Sequence, residues 1–407
     1  MYKEVKGGVC APKGFKAAGI HCGVKGDGNT AKKDLALIVS EAPCAAAGTF
    51  TTNQVKAAPV YLSMKNVADG RAKAIVCNSG NANACAPQGE ENALKMCEET
   101  AKLLGVAPEE VLVASTGVIG HTINIGAILK GLPEAAGKLS EEGSEDAAHA
   151  IMTTDTVMKQ VGAEVEIGGK PVRIGGIAKG SGMIHPNMGT MLSFLTTDAA
   201  IEAPLLKKLL KDCVKVSFNR ISVDGDTSTN DTCLILANGL AGNPPLEEGS
   251  PDCEAFKEAL AYVCRTLAVK MAKDGEGATK LITCTVAGAA DENKAEIIAK
   301  SVIRSPLVKT AMFGSDANWG RVLCAMGYSG ETFEPEKVDV SFASRAGSIE
   351  VCAGGRGLDF DEDLALKVLS EDEVVIDILM REGEASVTAW GCDLTYDYVK
   401  INGDYRT

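Results

Sequence analysis

An α+β protein built as a layered sandwich is what the sequence predicts, on three observations. Strand-like runs and amphipathic helices come in blocks, not in the strict strand–helix alternation of a doubly wound parallel sheet. The 407 residues exceed what one small core needs, so the chain forms two or three domains or one large sandwich. Hydrophobic residues make up 45% and aromatics only 4%, so the layers must close on Ala, Val, Ile, Leu and Met and not on stacked rings.

The elements follow in chain order. Residues 34–39 and 74–77 are clustered aliphatic runs and read as strands. Apolar residues at helical spacing with charges between them predict a helix over 89–104, which leaves the Asn- and Ala-rich stretch 78–85 as the intervening loop. A further strand at 111–114 ends in Ser115-Thr116-Gly117, and a helix follows around 123–132. An acidic, Gly/Ser-containing stretch at 138–148 leads into a helix and then into Thr153-Thr154-Asp155-Thr156. Residues 161–177 alternate around Gly168-Gly169, the pattern of a hairpin, and deliver the chain to a Gly-, Pro- and Asn-rich segment at 178–192. Amphipathic helices are expected at 205–216 and 253–272, the second ending in Asp274-Gly275-Glu276-Gly277. Strands at 281–286, 338–342, 348–353 and 374–379 come next, and 385–390 is expected to close a hairpin.

The formal charge of -13 argues against a nucleic-acid binder, because phosphate recognition needs clustered Lys and Arg. It leaves room for an anionic metabolite, which one or two local cations suffice to hold. Fourteen cysteines run from Cys10 to Cys392 without a CxxC pair or a zinc-type Cys/His cluster, mostly among apolar neighbours. They read as small core residues of a reducing compartment. With no leader-type segment and no apolar run of spanning length, the expectation is a soluble cytoplasmic protein without nucleic-acid or membrane partners.

The segment ending at Thr190 stops looking generic. The threonine follows Gly189, is entered from a turn-forming stretch, and precedes the apolar residues 191–195. That pattern suits a strained 189–190 peptide bond at the mouth of a buried strand, and it permits a nucleophile without demanding one. Other features have plain readings. Thr116-Gly117 can simply end a strand, Lys179 can be a surface lysine and Glu276 a polar turn residue. Residues 224–231 resemble a calcium loop, yet Thr229 stands where such a turn uses glycine, so no metal is expected. His185 has no second His or Cys beside it and reads as a turn or packing residue, and Trp319 as an interior anchor with its N–H bonded.

The stretch KGSGMIHPNMGTML at 179–192 resembles the self-cleavage segment of the ArgJ family, the bifunctional glutamate N-acetyltransferase/ornithine acetyltransferases. Five further blocks, at 78–84, 115–120, 224–231, 316–321 and 402–407, are similar to family blocks in the same order. The resemblance implies an αββα sandwich of the self-processing, N-terminal-nucleophile type. It implies a cut between Gly189 and Thr190, giving an α chain of 1–189 and a β chain of 190–407, assembled as a heterotetramer of two of each. Thr190 would then be the nucleophile, its freed α-amine the base, and Thr116 and Gly117 the oxyanion donors. Substrate contacts carried over are Thr153 or Thr154, Lys179, Thr190, Glu276, Asn402 and Thr407. The implied reaction moves an acetyl group from N-acetylornithine to glutamate through an acetyl-Thr190 ester, in arginine biosynthesis. No cofactor is needed, and acetyl-CoA is left open as a second donor. One departure stands out: the family usually has alanine before the nucleophile, and here Gly189 lacks the Cβ and gains conformational freedom. The rival readings are an amidohydrolase or aminopeptidase with the same kind of nucleophile, and an uncleaved, inactive binding protein.

Overall fold

A computed structural model describes residues 2–25, 32–185 and 191–404. The first part of the chain forms β1 (Tyr2–Val5), β2 (Phe15–Ile20), β3 (Leu35–Phe50), α1 (Ala58–Asn66), β4 (Arg71–Asn81), α2 (Gly89–Leu104), β5 (Val111–Val118), α3 (Ile125–Gly137) and α4 (Ser144–Ile151). There follow β6 (Lys159–Ile167), β7 (Lys170–Lys179), β8 (Leu192–Thr197), α5 (Ala203–Lys215), β9 (Ile221–Ser222), β10 (Thr232–Ala237) and α6 (Pro251–Lys273). The remainder is β11 (Leu281–Ala289), α7 (Glu292–Arg304), α8 (Pro306–Phe313), α9 (Trp319–Gly327), β12 (Asp339–Ser344), β13 (Gly347–Ala353), β14 (Arg356–Gly357), α10 (Glu362–Leu369), β15 (Glu373–Leu379), β16 (Ala385–Cys392) and α11 (Tyr396–Asp404).

The first sheet runs β1-β6-β7-β8-β10-β3-β4-β5, with β2 also paired to β3. β3 joins its two halves, pairing β2 through Leu35–Ser40 and β10 through Ala45–Phe50. It therefore extends well past the expected end at residue 39. The period-two alternation of a strand sorts the side chains into three layers. Leu35, Leu37, Val76 and Val113 meet Met96 of α2 and Leu132 of α3. Their alternates Ile38, Ile75 and Leu112 turn inward onto Phe194 and Leu234 of the other half. The far face of that half, with Ile174, Leu195 and Ile235, packs on Leu206 of α5 and on Phe256 and Leu260 of α6. Helix, sheet, sheet, helix is thus the layer order, as expected.

The second sheet runs β14-β13-β12-β15-β11-β16-β9 and is covered on one face by α7 to α10 around a separate core. Leu281 and Cys392 of this sheet join the α6 core, which ties the two sheets together. One expectation fails here. Residues 385–390 do not pair with 374–379, because β11 lies between them, parallel to β15 and antiparallel to β16. The short connection steps over the end of β11, where the Met380 N–H donates to Ala287 O at 2.9 Å and the Glu382 N–H to Gly288 O at 2.7 Å. Two strands separated by one neighbour show the same apolar alternation as two paired ones, so the pattern could not tell them apart. The cysteines are all free thiols. Cys85 and Cys324 are exposed and Cys10 and Cys22 half-buried, while the other ten pack inside. Trp319 is half-buried against the second core and lies over Gly357, a partial anchor and not an interior one.

Candidate active site

Residues far apart in sequence line one cleft: Thr116 and Gly117 near the end of β5, Thr153 and Thr154 after α4, Lys179 at the end of β7, Glu276 between α6 and β11, and Asn402 on α11. Each was singled out from the sequence. Gly189, Thr190 and Thr407 lie outside the described residues. Their neighbours in the chain do not: Ile184 and Met191 both line this cleft.

The β5 end is built around a glycine. Gly117 has φ +130°, and a Cβ there would stand 2.4 Å from the Gly80 carbonyl carbon and 2.6 Å from the Asn81 nitrogen. β4 and β5 run parallel with Gly80 opposite Gly117, so neither backbone has room to retreat. Asn230 pins the same strand end, its amide donating to Ser115 O at 2.8 Å and to Ala82 O at 2.7 Å. The Ser115 hydroxyl in turn donates to Asn78 Oδ1 at 2.6 Å.

Lys179 is buried, and its ammonium donates to Thr153 Oγ1 at 2.7 Å and to Thr116 Oγ1 at 3.4 Å. Behind it lies Asp155, whose carboxylate faces Lys179 at 3.8 Å and Lys159 at 2.7 Å and accepts the Gly180 N–H at 2.7 Å. Burial by itself would raise that carboxyl, but Lys179, Lys159 and the Gly180 N–H outweigh it and hold it down at about 2. Asp155 is therefore ionised at neutral pH, and Lys179 keeps a fixed counter-ion. Thr153 and Thr154 both reach the cleft and differ in partner: Thr153 bonds Lys179, whereas the Thr154 hydroxyl lies 2.7 Å from that of Ser181.

On the opposite wall the Glu276 N–H donates to Ser181 O at 2.8 Å, and its carboxylate accepts from the Asn402 amide at 2.8 Å. A Cβ on Gly182 would stand 2.3 Å from the Glu276 carboxylate, so glycine there lets the acid approach the chain. Asp224, in the stretch that resembled a calcium loop, accepts the Met183 N–H at 2.6 Å and the Ile184 N–H at 2.9 Å. It holds the segment that leads to residue 186. His185 faces Ser222 Oγ at 3.1 Å, and burial, reinforced by Lys300 and Arg304, pushes its imidazole down to about 4, as suits a packed neutral ring.

Asp155, Asn230 and Asp231 belong to the cleft or its support and were not singled out as site residues. The signal for Asp155 was its place in the 153–156 block beside two singled-out threonines. Asn230 and Asp231 appear in the sequence reading as members of the 224–231 block, with no role given to either.

The geometry can be set beside known proteins. The profile of the ArgJ family matches residues 16–407. The arginine biosynthesis bifunctional protein ArgJ 1 of Clostridium acetobutylicum is 55% identical over 394 residues, covering 97% of this chain and 96% of that protein. The arginine biosynthesis bifunctional protein ArgJ of Bacillus subtilis is 48% identical over 406 residues, covering 99% of this chain and 98% of its own length. The crystal structure of arginine biosynthesis bifunctional protein ArgJ from Bacillus halodurans is similar with a TM-score of 0.51 and 46% identity, over 53% of this chain and 99% of the solved chain. A match that spans nearly the whole sequence, on top of a cleft assembled from the family's blocks, establishes that the chain belongs to the ArgJ family.

Proposed function

We propose that this protein is an acetyltransferase of arginine biosynthesis that passes the acetyl group of N-acetylornithine to glutamate by a ping-pong route through an acetyl-Thr190 ester. The observation that carries the reading is the convergence of Thr116, Gly117, Thr153, Thr154, Lys179, Glu276 and Asn402 on one cleft. Family membership supports it, since the relatives are named as arginine biosynthesis bifunctional proteins.

In this reading the chain cuts itself between Gly189 and Thr190, and the products 1–189 and 190–407 pair into a heterotetramer. The Bacillus halodurans structure lends support, because a chain matched over 99% of its length covers only 53% of this one, about the share that 190–407 makes up. The cut is an acyl shift in which the Thr190 hydroxyl attacks the Gly189 carbonyl, the amide becomes an ester, and water releases it. The freed α-amine then serves as base for the same hydroxyl. Thr116 and Gly117 stabilise the oxyanion that forms when the acetyl group is taken up and again when it is handed on. Lys179 holds the substrate carboxylate and Glu276 an ammonium. Acetyl-CoA serves as a second donor to glutamate, and no bound cofactor takes part.

Incubation with N-acetylornithine and glutamate tests the reading: N-acetylglutamate should form far faster than free acetate, and a predominance of acetate would overturn it in favour of hydrolysis. Supplying acetyl-CoA in place of N-acetylornithine tests the second donor in the same assay. Thr116→Val is expected to lower kcat about 100-fold while moving KM less than about threefold, because its hydroxyl acts on the transition state. Lys179→Met should do the reverse and raise KM about 10- to 100-fold, the worth of one charge-assisted hydrogen bond. Its melting temperature should fall by several degrees as well, because buried Asp155 loses one of its two cationic partners and keeps only Lys159 at 2.7 Å.

A further inference from the structure

Asp231 precedes β10 in a position the proposed mechanism does not use. β8 and β10 are parallel with Leu192 opposite Thr232, and the Thr232 N–H donates to Met191 O at 2.9 Å, so Asp231 lies beside Met191. It lines the cleft together with Lys179, Glu276 and Asn402. Only 2% of the residue is exposed, and its Oδ2 has no hydrogen-bond partner. A buried carboxyl oxygen left unpaired is uncommon, because nothing repays its desolvation.

The other polar groups of the cleft differ in this respect. Glu276 already accepts from Asn402, and Asp155 is held by two lysines and a backbone N–H. The charged group acting on Asp231 is Lys179 from β7, with the neutral hydroxyls of Thr51 and Ser228 and the Met191 N–H nearby. Burial outweighs all of these influences and pushes the Asp231 carboxyl well above the usual range. Among the described residues, Glu276 lines the same cleft and Asp155 stands behind Lys179, and in the proposed reaction the freed α-amine of Thr190 adds a further titratable group.

We propose that Asp231 is a further substrate-contacting residue, whose unpartnered oxygen accepts an N–H of the substrate's amino group while Lys179 takes the carboxylate. The inference rests on the proposed reaction for the identity of that substrate. Its chemistry balances simply. A substrate ammonium favours the ionised carboxylate, so a proton held by the buried carboxyl in the empty cleft passes to solvent and the carboxylate pairs with the intact ammonium. Amine binding thus releases a proton and weakens as pH falls.

Calorimetric titration of the full, wild-type protein with ornithine, at one neutral pH in two buffers of different ionisation enthalpy, counts that proton. Net proton release on binding is expected, and Asp231→Asn should release fewer protons and bind about tenfold more weakly or worse, with its melting temperature checked in parallel. An unchanged affinity and proton count in Asp231→Asn would overturn the inference. So would a wild-type count near zero, which decides the matter even if the variant fails to fold. The two readings fail separately. Transfer from N-acetylornithine to glutamate without the Asp231-linked proton sinks only this inference. Ornithine binding with that proton but no transfer sinks only the proposed reaction, and no ornithine binding at all sinks both.

Discussion

Replacing Thr190 with alanine is expected to leave one uncut chain and to abolish acetyl transfer. In the proposed mechanism the substitution removes the hydroxyl that attacks the Gly189 carbonyl, so the amide has no route to an ester and no new α-amine is freed. The same missing oxygen then cannot carry the acetyl group. Losing nucleophile and base together should lower activity by about 10⁴-fold or more. Denaturing electrophoresis after long incubation reads the first consequence, with a single full-length band for the variant against two fragments of similar size for the wild type. The transfer assay reads the second. Thr190→Ser keeps a hydroxyl and an α-amine and should still be cut. Full activity in Thr190→Ala would end the nucleophile assignment. A wild-type chain that never splits would instead point to Gly189, whose freedom dilutes the reactive conformer.

Gly117→Ala should be the most damaging change among the described cleft residues. At φ +130° an alanine is strained by about 1–3 kcal/mol, and its Cβ would also lie 2.4 Å from a backbone carbon of β4. A backbone inside a paired sheet cannot step aside, so the β5 end must shift and carry the Gly117 N–H and the Thr116 hydroxyl with it. If these are the oxyanion donors, kcat should fall about 100- to 1000-fold while KM changes much less. The melting temperature should drop by several degrees, because the strain is present in the empty protein as well. Steady-state kinetics beside a thermal melt separates the effects, and a variant that melts early yet keeps wild-type kcat would remove Gly117 from the oxyanion role.

The convergence of the cleft was legible in part. Thr116 and Lys179 could be marked because they sit in motif blocks and Glu276 because it sits at a position the resemblance carries over, and the aliphatic runs at 34–39 and 74–77 announced strands. What could not be read were partnerships made across the fold. Asp155 matters because Lys159, Lys179 and Gly180 close around it, and only the Lys159 spacing is local. Asp224, in a stretch with only a superficial likeness to a calcium loop, holds the backbone of Met183 and Ile184.

By itself, then, the sequence determined the family, the α+β layering and most of the cleft's residue types, since side-chain alternation and local motifs are written in consecutive residues. The tertiary structure alone decided that β11 separates β15 from β16, that β3 spans both halves of the first sheet, and that Asp231 is buried at the cleft wall with an oxygen unpaired. The reason is physical. An apolar side chain specifies that a face is buried but not which strand or helix buries it, and the environment of a carboxyl is set by groups that arrive from distant parts of the chain.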